Sequence, residues 1–146
     1  IVKIDQEEGT KEIVRQQLNL LTAKEISKTL PTVSIRDEEP VRVALKKCLD
    51  SDSRAIVVVN REHKPIGTLL LRYAMSLSNR ELRTLKVSDT QLDEPVIVDE
   101  DKLALDMATL FKEKNIPMIA VVDKDGVLEG TIMEKEILRR IVGAVE

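Results

Sequence analysis

The chain has 146 residues, a net charge of −3 and 42% apolar residues, which is one ordinary domain or two very small ones, with no basic excess for holding nucleic acid. Tyr73 and Phe111 are its only aromatics, so the core is aliphatic and a base-stacking platform is excluded. One cysteine (Cys48) and one histidine (His63) rule out an internal disulfide and a Cys/His zinc cage, and nothing in the sequence orients His63 as a catalytic base.

In chain order, Ile1–Ile4 reads as a short strand or tail, and an amphipathic segment carrying Val14, Leu18 and Leu21 follows it. Thr22-Ala-Lys-Glu25 is a capping box that opens a helix. Thr32–Ile35 is β-like and runs into Asp37-Glu-Glu39, acids that suit the start of the next helix. That helix carries Val41, Leu45, Cys48 and Leu49 at i, i+4, i+7 and i+8, one apolar face, which makes Cys48 a small core residue. Ala55–Asn60 and Ile66–Leu71 form a hairpin, with His63 in its charged turn, and a helix over about 72–77 follows.

Ser78-Asn-Arg-Glu81, a second capping box, opens a joint that extends to Glu94. The pattern then returns. Val96-Ile-Val98 precedes Asp99-Glu-Asp101, and Leu103, Met107, Leu110 and Phe111 mark a helix face 62 residues after the first. Met118–Asp123 and Leu128–Met133 form a second hairpin around Asp125-Gly126, a strong turn signal. A last helix, 134–145, carries Ile137, Leu138, Ile141 and Val142 on one side. Asn60 and Asp123, like Gly67 and Gly130, are 63 residues apart, so the hairpins align without a gap.

The expected fold is α/β (α+β): two β-α-β-β-α repeats about a pseudo-twofold axis, with an N-terminal helical extension over 1–22. Repeat 1 spans 23–78; a linker helix and repeat 2 span 79–146. A unit of about 60 residues has too little core to stand alone, so the copies are expected to pack face to face. Ile116–Val122 and Ala55–Val59, the longest apolar runs, are strand-sized and far short of the ~20 residues of a membrane span. The start at Ile1, without a secretory signal, suggests a cytoplasmic, water-soluble piece of a longer protein that is not itself an enzyme.

With its strand-acid-helix entries, Val-Val-Asp123 with Asp-Gly126, and Gly130-Thr-Ile ahead of a helix, the stretch from about Ala23 to Val142 resembles a tandem pair of cystathionine-β-synthase (CBS) domains, the Bateman module. That resemblance implies a regulatory role and an adenine nucleotide, ATP or AMP, in a cleft between the repeats. The family signature is Gly, two apolar residues, Ser or Thr, two residues, then Asp. Here the copies read Gly67…Leu70…Tyr73 and Gly130…Met133…Glu136, so both hydroxyl positions are apolar and only Glu136 keeps a carboxylate. The nucleotide cleft implied by the resemblance uses Gly130, Met133, Glu136, Ile116, Pro117 and Val96.

Thr22–Ile26 followed by Pro31–Ile35, and Ser78–Leu85, also resemble the cytosolic part of MgtE-type magnesium transporters. That likeness implies a sensor of Mg2+ that closes the pore of a membrane transporter, with Glu136 as a candidate ligand; Asp99 and Asp101, in their own acidic cluster, are further candidate ligands. Arg139 departs from it, standing where a second acid is expected. Magnesium takes oxygen ligands and retains waters, so two or three carboxylates suffice. The expected assembly is a homodimer through Tyr73–Leu77 and the Ile137, Leu138, Ile141, Val142 face, attached to other domains of the parent, the cytosolic side of an inner- or plasma-membrane protein. The alternatives are an adenine-nucleotide sensor of an enzyme or stand-alone protein, and a ligand-free dimerisation module.

Overall fold

A run of β-branched residues favours a pleated strand, and the two such runs in this chain become the central strands of two small sheets. A computed structural model describes residues 21–145. The strand or tail at Ile1–Ile4 and nearly all of the extension over 1–22 lie outside the described residues.

The first sheet holds β1 (Ser34–Arg36), β2 (Ala55–Val59) and β3 (Pro65–Leu70), and the second holds β4 (Ile97–Asp99), β5 (Ile119–Val122) and β6 (Leu128–Ile132). In each, the first strand pairs parallel and the third antiparallel to the central one. The registers repeat. Ser34 pairs with Val57 as Ile97 pairs with Ala120, and Ile56 with Leu69 as Ile119 with Ile132. Even the irregularity recurs, at Val58/Val59 and Val121/Val122.

The helices are α1 (Ala23–Ser27), α2 (Val41–Asp50), α3 (Leu71–Met75), α4 (Asn79–Thr84), α5 (Ala104–Lys114) and α6 (Glu134–Val145). Both expected capping boxes form hydrogen bonds: Glu25 N–H donates to Thr22 Oγ1 at 3.3 Å, and Glu81 N–H donates to Ser78 Oγ at 3.1 Å. One expectation needs correcting. The buried faces of α2 and α5 are Val41, Ala44, Cys48 and Ala104, Met107, Phe111, which are 63 residues apart, not 62. Leu49 is 61% exposed, and Leu45 only half-buried. The apolar spacing admits two neighbouring faces, and the buried one carries Ala44 in α2 and Ala104 in α5.

The conformation repeats where the sequence does not. Among the described residues, left-handed backbone occurs at Asp52 (φ 50°), His63 (63°), Asn115 (47°) and Gly126 (81°). Asp52 and Asn115 are one pair at the common offset; His63 and Gly126 are the other. The first pair follows the central helix, and the second turns the hairpin. His63 thus occupies the slot that favours glycine in the second copy. Asn60 Oδ1 accepts from Glu62 and Lys64 N–H, as Asp123 Oδ1 accepts from Asp125 and Val127 N–H.

The two halves interlock through their lead-in segments. Helix α1 precedes the first repeat in sequence but packs on β5 and β6, where Ala23 and Ile26 join the second core. Its backbone follows the turn after β4: Ala23 N–H donates to Lys102 O, Lys24 N–H to Glu100 O, and Leu21 O accepts from Ala104 N–H. The joint does the same for the first repeat: Val87 N–H donates to Glu39 O, Ser88 N–H to Asp37 O, and Leu85 O accepts from Val41 N–H. Met118 and the side chains of β5 alternate between the cores, Met118 and Ala120 in the first, Ile119 and Val121 in the second, so this strand touches both. Val57, Val59, Leu69 and Val121 are all buried, as the hairpin pattern predicts.

Candidate functional site

Each hairpin feeds directly into a helix, and beside each such junction lies a cleft. Leu70, Leu71, Arg72 and Met75 of the first copy, with Arg54, Asp93, Asn115 and Pro117, line a cleft of about 390 Å³. Met133, Glu134, Lys135 and Leu138 of the second, with Asp52, Arg54 and Pro117, line one of about 260 Å³. The linings are pseudo-twofold mates at the same 63-residue offset. Leu70 corresponds to Met133, Leu71 to Glu134, Arg72 to Lys135, Met75 to Leu138 and Asn115 to Asp52. Arg54 and Pro117, themselves such a pair, line both clefts.

The shape repeats, but the charge does not. The first cleft sets Arg54 and Arg72 against the single carboxylate of Asp93. Among the described residues neither arginine makes an ion pair. In the second cleft, Lys135 Nζ donates to Asp52 O at 2.9 Å and reaches Asp52 Oδ2 at 3.4 Å, and Glu134 adds another carboxylate. The first cleft combines an apolar wall, two guanidiniums that can grip oxyanions, and a carboxylate and an amide suited to hydroxyls and ring nitrogens.

The residues expected at a site are spread over different roles. Pro117 lines both clefts, and Met133 the second. Glu136 is buried, and its Oε1 accepts from Met133 N–H at 2.7 Å, satisfying a donor at the start of α6. Gly130 is buried beneath α1, where a Cβ would stand 2.6 Å from Ser27 Cβ. Ile116 and Val96 are half-buried against the second core. The Tyr73 hydroxyl accepts from Gln91 N–H at 3.4 Å.

Asp99 and Asp101 lie in the turn after β4, where Asp99 Oδ1 accepts from Asp101 N–H at 2.9 Å. Among the described residues no three or more His, Cys, Asp or Glu side chains come together to hold a metal ion, so Glu136, Asp99 and Asp101 do not form one site. Sequence reasoning missed Arg54, Arg72, Asp93 and Asn115. The signal was available: the 63-residue offset, applied to charge instead of hydrophobicity, pairs Arg72 with Lys135 and Asn115 with Asp52.

The Gly-Thr dipeptides common to both copies have structural work. Thr68 exchanges both backbone hydrogen bonds with Asp93, each at 2.9 Å, and a Cβ on Gly67 would meet Leu92 at 2.9 Å. Across the axis, Thr131 Oγ1 accepts from Val33 N–H at 2.9 Å, beside Gly130 and Ser27. Each dipeptide clamps the opposite repeat's lead-in. No helix among the described residues is long and apolar enough to cross a membrane.

Comparison with known proteins gives a consistent result. The family model described as the CBS domain matches twice, over residues 23–79 and 87–143. An osmoprotectant import ATP-binding protein, OsmV, of Salmonella typhimurium is 27% identical over 125 residues, 84% of this chain and 30% of that protein. Inosine-5'-monophosphate dehydrogenase of Aquifex aeolicus is 29% identical over 116 residues, 74% of this chain and 22% of that protein. The chain thus spans less than a third of the length of these curated relatives. Among solved structures, the CBS domain of a bacterial CNNM/CorC family Mg2+ transporter in complex with ATP matches with a TM-score of 0.76 at 20% identity, covering 94% of this chain and 98% of that one.

Proposed function

The chain belongs to the CBS-domain family, a family of regulatory modules, and on that premise we propose that it senses a phosphate-bearing small ligand and passes the signal to a larger protein. The observation that carries this reading is the first cleft, where Arg54 and Arg72 face a half-apolar cavity without an ion-pair partner among the described residues. An adenine nucleotide, ATP or AMP, suits it. Its base fits against Leu70, Met75 and Pro117, the ribose hydroxyls within the reach of Asp93, and the phosphates against the guanidiniums. The solved relative that carries ATP supports this ligand class.

The parent we favour is a divalent-cation transporter, in keeping with the Mg2+ transporter named for that relative and with the likeness of the joint to MgtE-type proteins. The module would then be a cytosolic appendage of the pore, and binding would shift its arrangement by differential affinity for two states. Glu136 does not join Asp99 and Asp101 in a common group among the described residues: its Oε1 accepts from Met133 N–H, and the two aspartates share the turn after β4.

The module acts as a homodimer in this reading. Of the face expected to pair, Ile137 and Ala74 are buried inside the chain itself, whereas Met75, Leu138 and Val142 remain exposed.

Titration calorimetry with ATP, AMP and MgCl2 separately, on the wild type and Arg72→Ala, tests the ligand. Nucleotide binding that Arg72→Ala weakens at least tenfold is the expected result. Heat from MgCl2 alone, unchanged in Arg72→Ala, would instead favour an ion sensor. No binding in any titration would leave a dimerisation module.

A further inference from the structure

The two clefts are built on one plan, so the differences between them are informative. Arg72 and Lys135 occupy equivalent positions, each one residue into the helix after its hairpin. In the first cleft the mate of Asp52 is Asn115, which carries no charge. In the second, Lys135 is held by the carbonyl and the carboxylate of Asp52. Leu71 in the first cleft is replaced by Glu134 in the second. Those two substitutions, with the absence of a counterpart of Asp93, turn a cleft with two cations against one acid into one with two cations against two.

Both members of this pair are solvent-accessible, Asp52 fully so, and an exposed ion pair adds little to folding stability. Its consequence is local. The ammonium that would meet an incoming phosphate is already satisfied, and two carboxylates stand where the anion would have to enter. Asp52 also sits in left-handed backbone (φ 50°), as Asn115 does (φ 47°), so the two residues share one backbone conformation at equivalent places.

We infer that Asp52, by engaging Lys135, and Glu134, by adding a second carboxylate, close the second cleft to anionic ligands, so that each chain takes one phosphate-bearing ligand, on the Arg54/Arg72 side. This rests on the proposed reading of the first cleft. It adds that Asp52 and Glu134 determine which of two equivalent clefts is used, and hence that one chain reports one ligand concentration.

The test is the number of ATP molecules bound per chain, measured by titration calorimetry for the wild type and for Asp52→Asn/Glu134→Leu. The double variant places the residues of the first cleft at these two positions, and asparagine tolerates the left-handed backbone. The single Asp52→Asn variant, milder still, is measured beside it. One ATP on the wild type and two on the double variant is the expected outcome, the second being lost again when Lys135→Ala is added. One ATP on both proteins would overturn the inference and leave the reading of the first cleft standing. Two on the wild type would overturn it as well. None on the wild type but one on the variant would reject the first cleft as a site and uphold the role of Asp52 and Glu134. None on either would reject both.

Discussion

Thr131 Oγ1 accepts a hydrogen bond from the backbone N–H of Val33 at 2.9 Å, joining two residues 98 positions apart in a buried setting. Its pseudo-twofold mate Thr68 does the equivalent job with backbone alone, exchanging N–H and C=O with Asp93. Isosteric Thr→Val changes should therefore be unequal. Thr131→Val strands a buried N–H, which costs about 1–3 kcal/mol, while Thr131→Ser retains the acceptor. Thr68→Val should cost less, because the bonds it makes survive. Urea denaturation of the three variants checks the ordering, and equal losses for Thr131→Val and Thr68→Val would contradict it.

Gly130→Ala should destabilise the chain by about 1–3 kcal/mol through overpacking. The added methyl meets Ser27 Cβ at 2.6 Å, close to the backbone of α1. Adding Ser27→Gly should recover most of the loss, because it removes the atoms that clash. Midpoints of thermal unfolding for the single and double variants decide this. Without recovery, the close approach of α1 to β6 is not the cause.

Glu129 and Glu100 lie beside one another near Lys24, which pairs with Glu100 at 3.5 Å. Desolvation, and then the hydrogen bond and charge of Glu100, hold the Glu129 carboxyl above the usual carboxylate range, with Lys24 opposing. A raised folded-state value means the contribution of Glu129 is intact below its unfolded value and is lost as pH rises through the folded one. Glu129→Gln should accordingly raise the unfolding temperature at pH 7. The gap to wild type should close as the pH falls towards 4; a gap that persisted in acid would point to packing instead.

Burial pushes the Cys48 thiol up to about 11 from 9.0, so it stays neutral and inert in the folded protein. The sign follows as for Glu129. Stability is unaffected below pH 9 and falls as pH rises towards 11, because the unfolded thiol ionises first. Cys48→Ala should lessen that alkaline decline relative to its own stability at pH 7. A disulfide reagent at pH 8 should label the wild type only as fast as it opens; rapid labelling of native protein would disprove this burial.

Leu138 is 52% exposed on α6, and its mate Met75 is exposed on α3. If these surfaces pair two copies, Leu138→Glu should halve the mass measured by light scattering. An unchanged dimer mass would move the interface elsewhere.

Local pattern determined much of this protein. Alternating and β-branched runs placed both hairpins, the capping boxes placed α1 and α4, and the fixed offset disclosed the duplication, because each of these depends on neighbours in sequence. Packing had to choose between adjacent apolar faces of α2 and α5, and it buried Ala44 and Met107 while leaving Leu45 and Leu110 half-buried. The exchange of lead-ins, which sends α1 to the second core and the joint to the first, rests on contacts between residues far apart in sequence, such as Leu21 with Ala104 and Val87 with Glu39, that no local period records. The site was legible least of all. Gly130 and Glu136 fit a motif, but the fold uses one for close packing and the other to satisfy its own helix terminus. Arg54, Arg72, Asp93 and Asn115 come from separate segments, and only the tertiary arrangement of the two repeats brings their charges around one cavity.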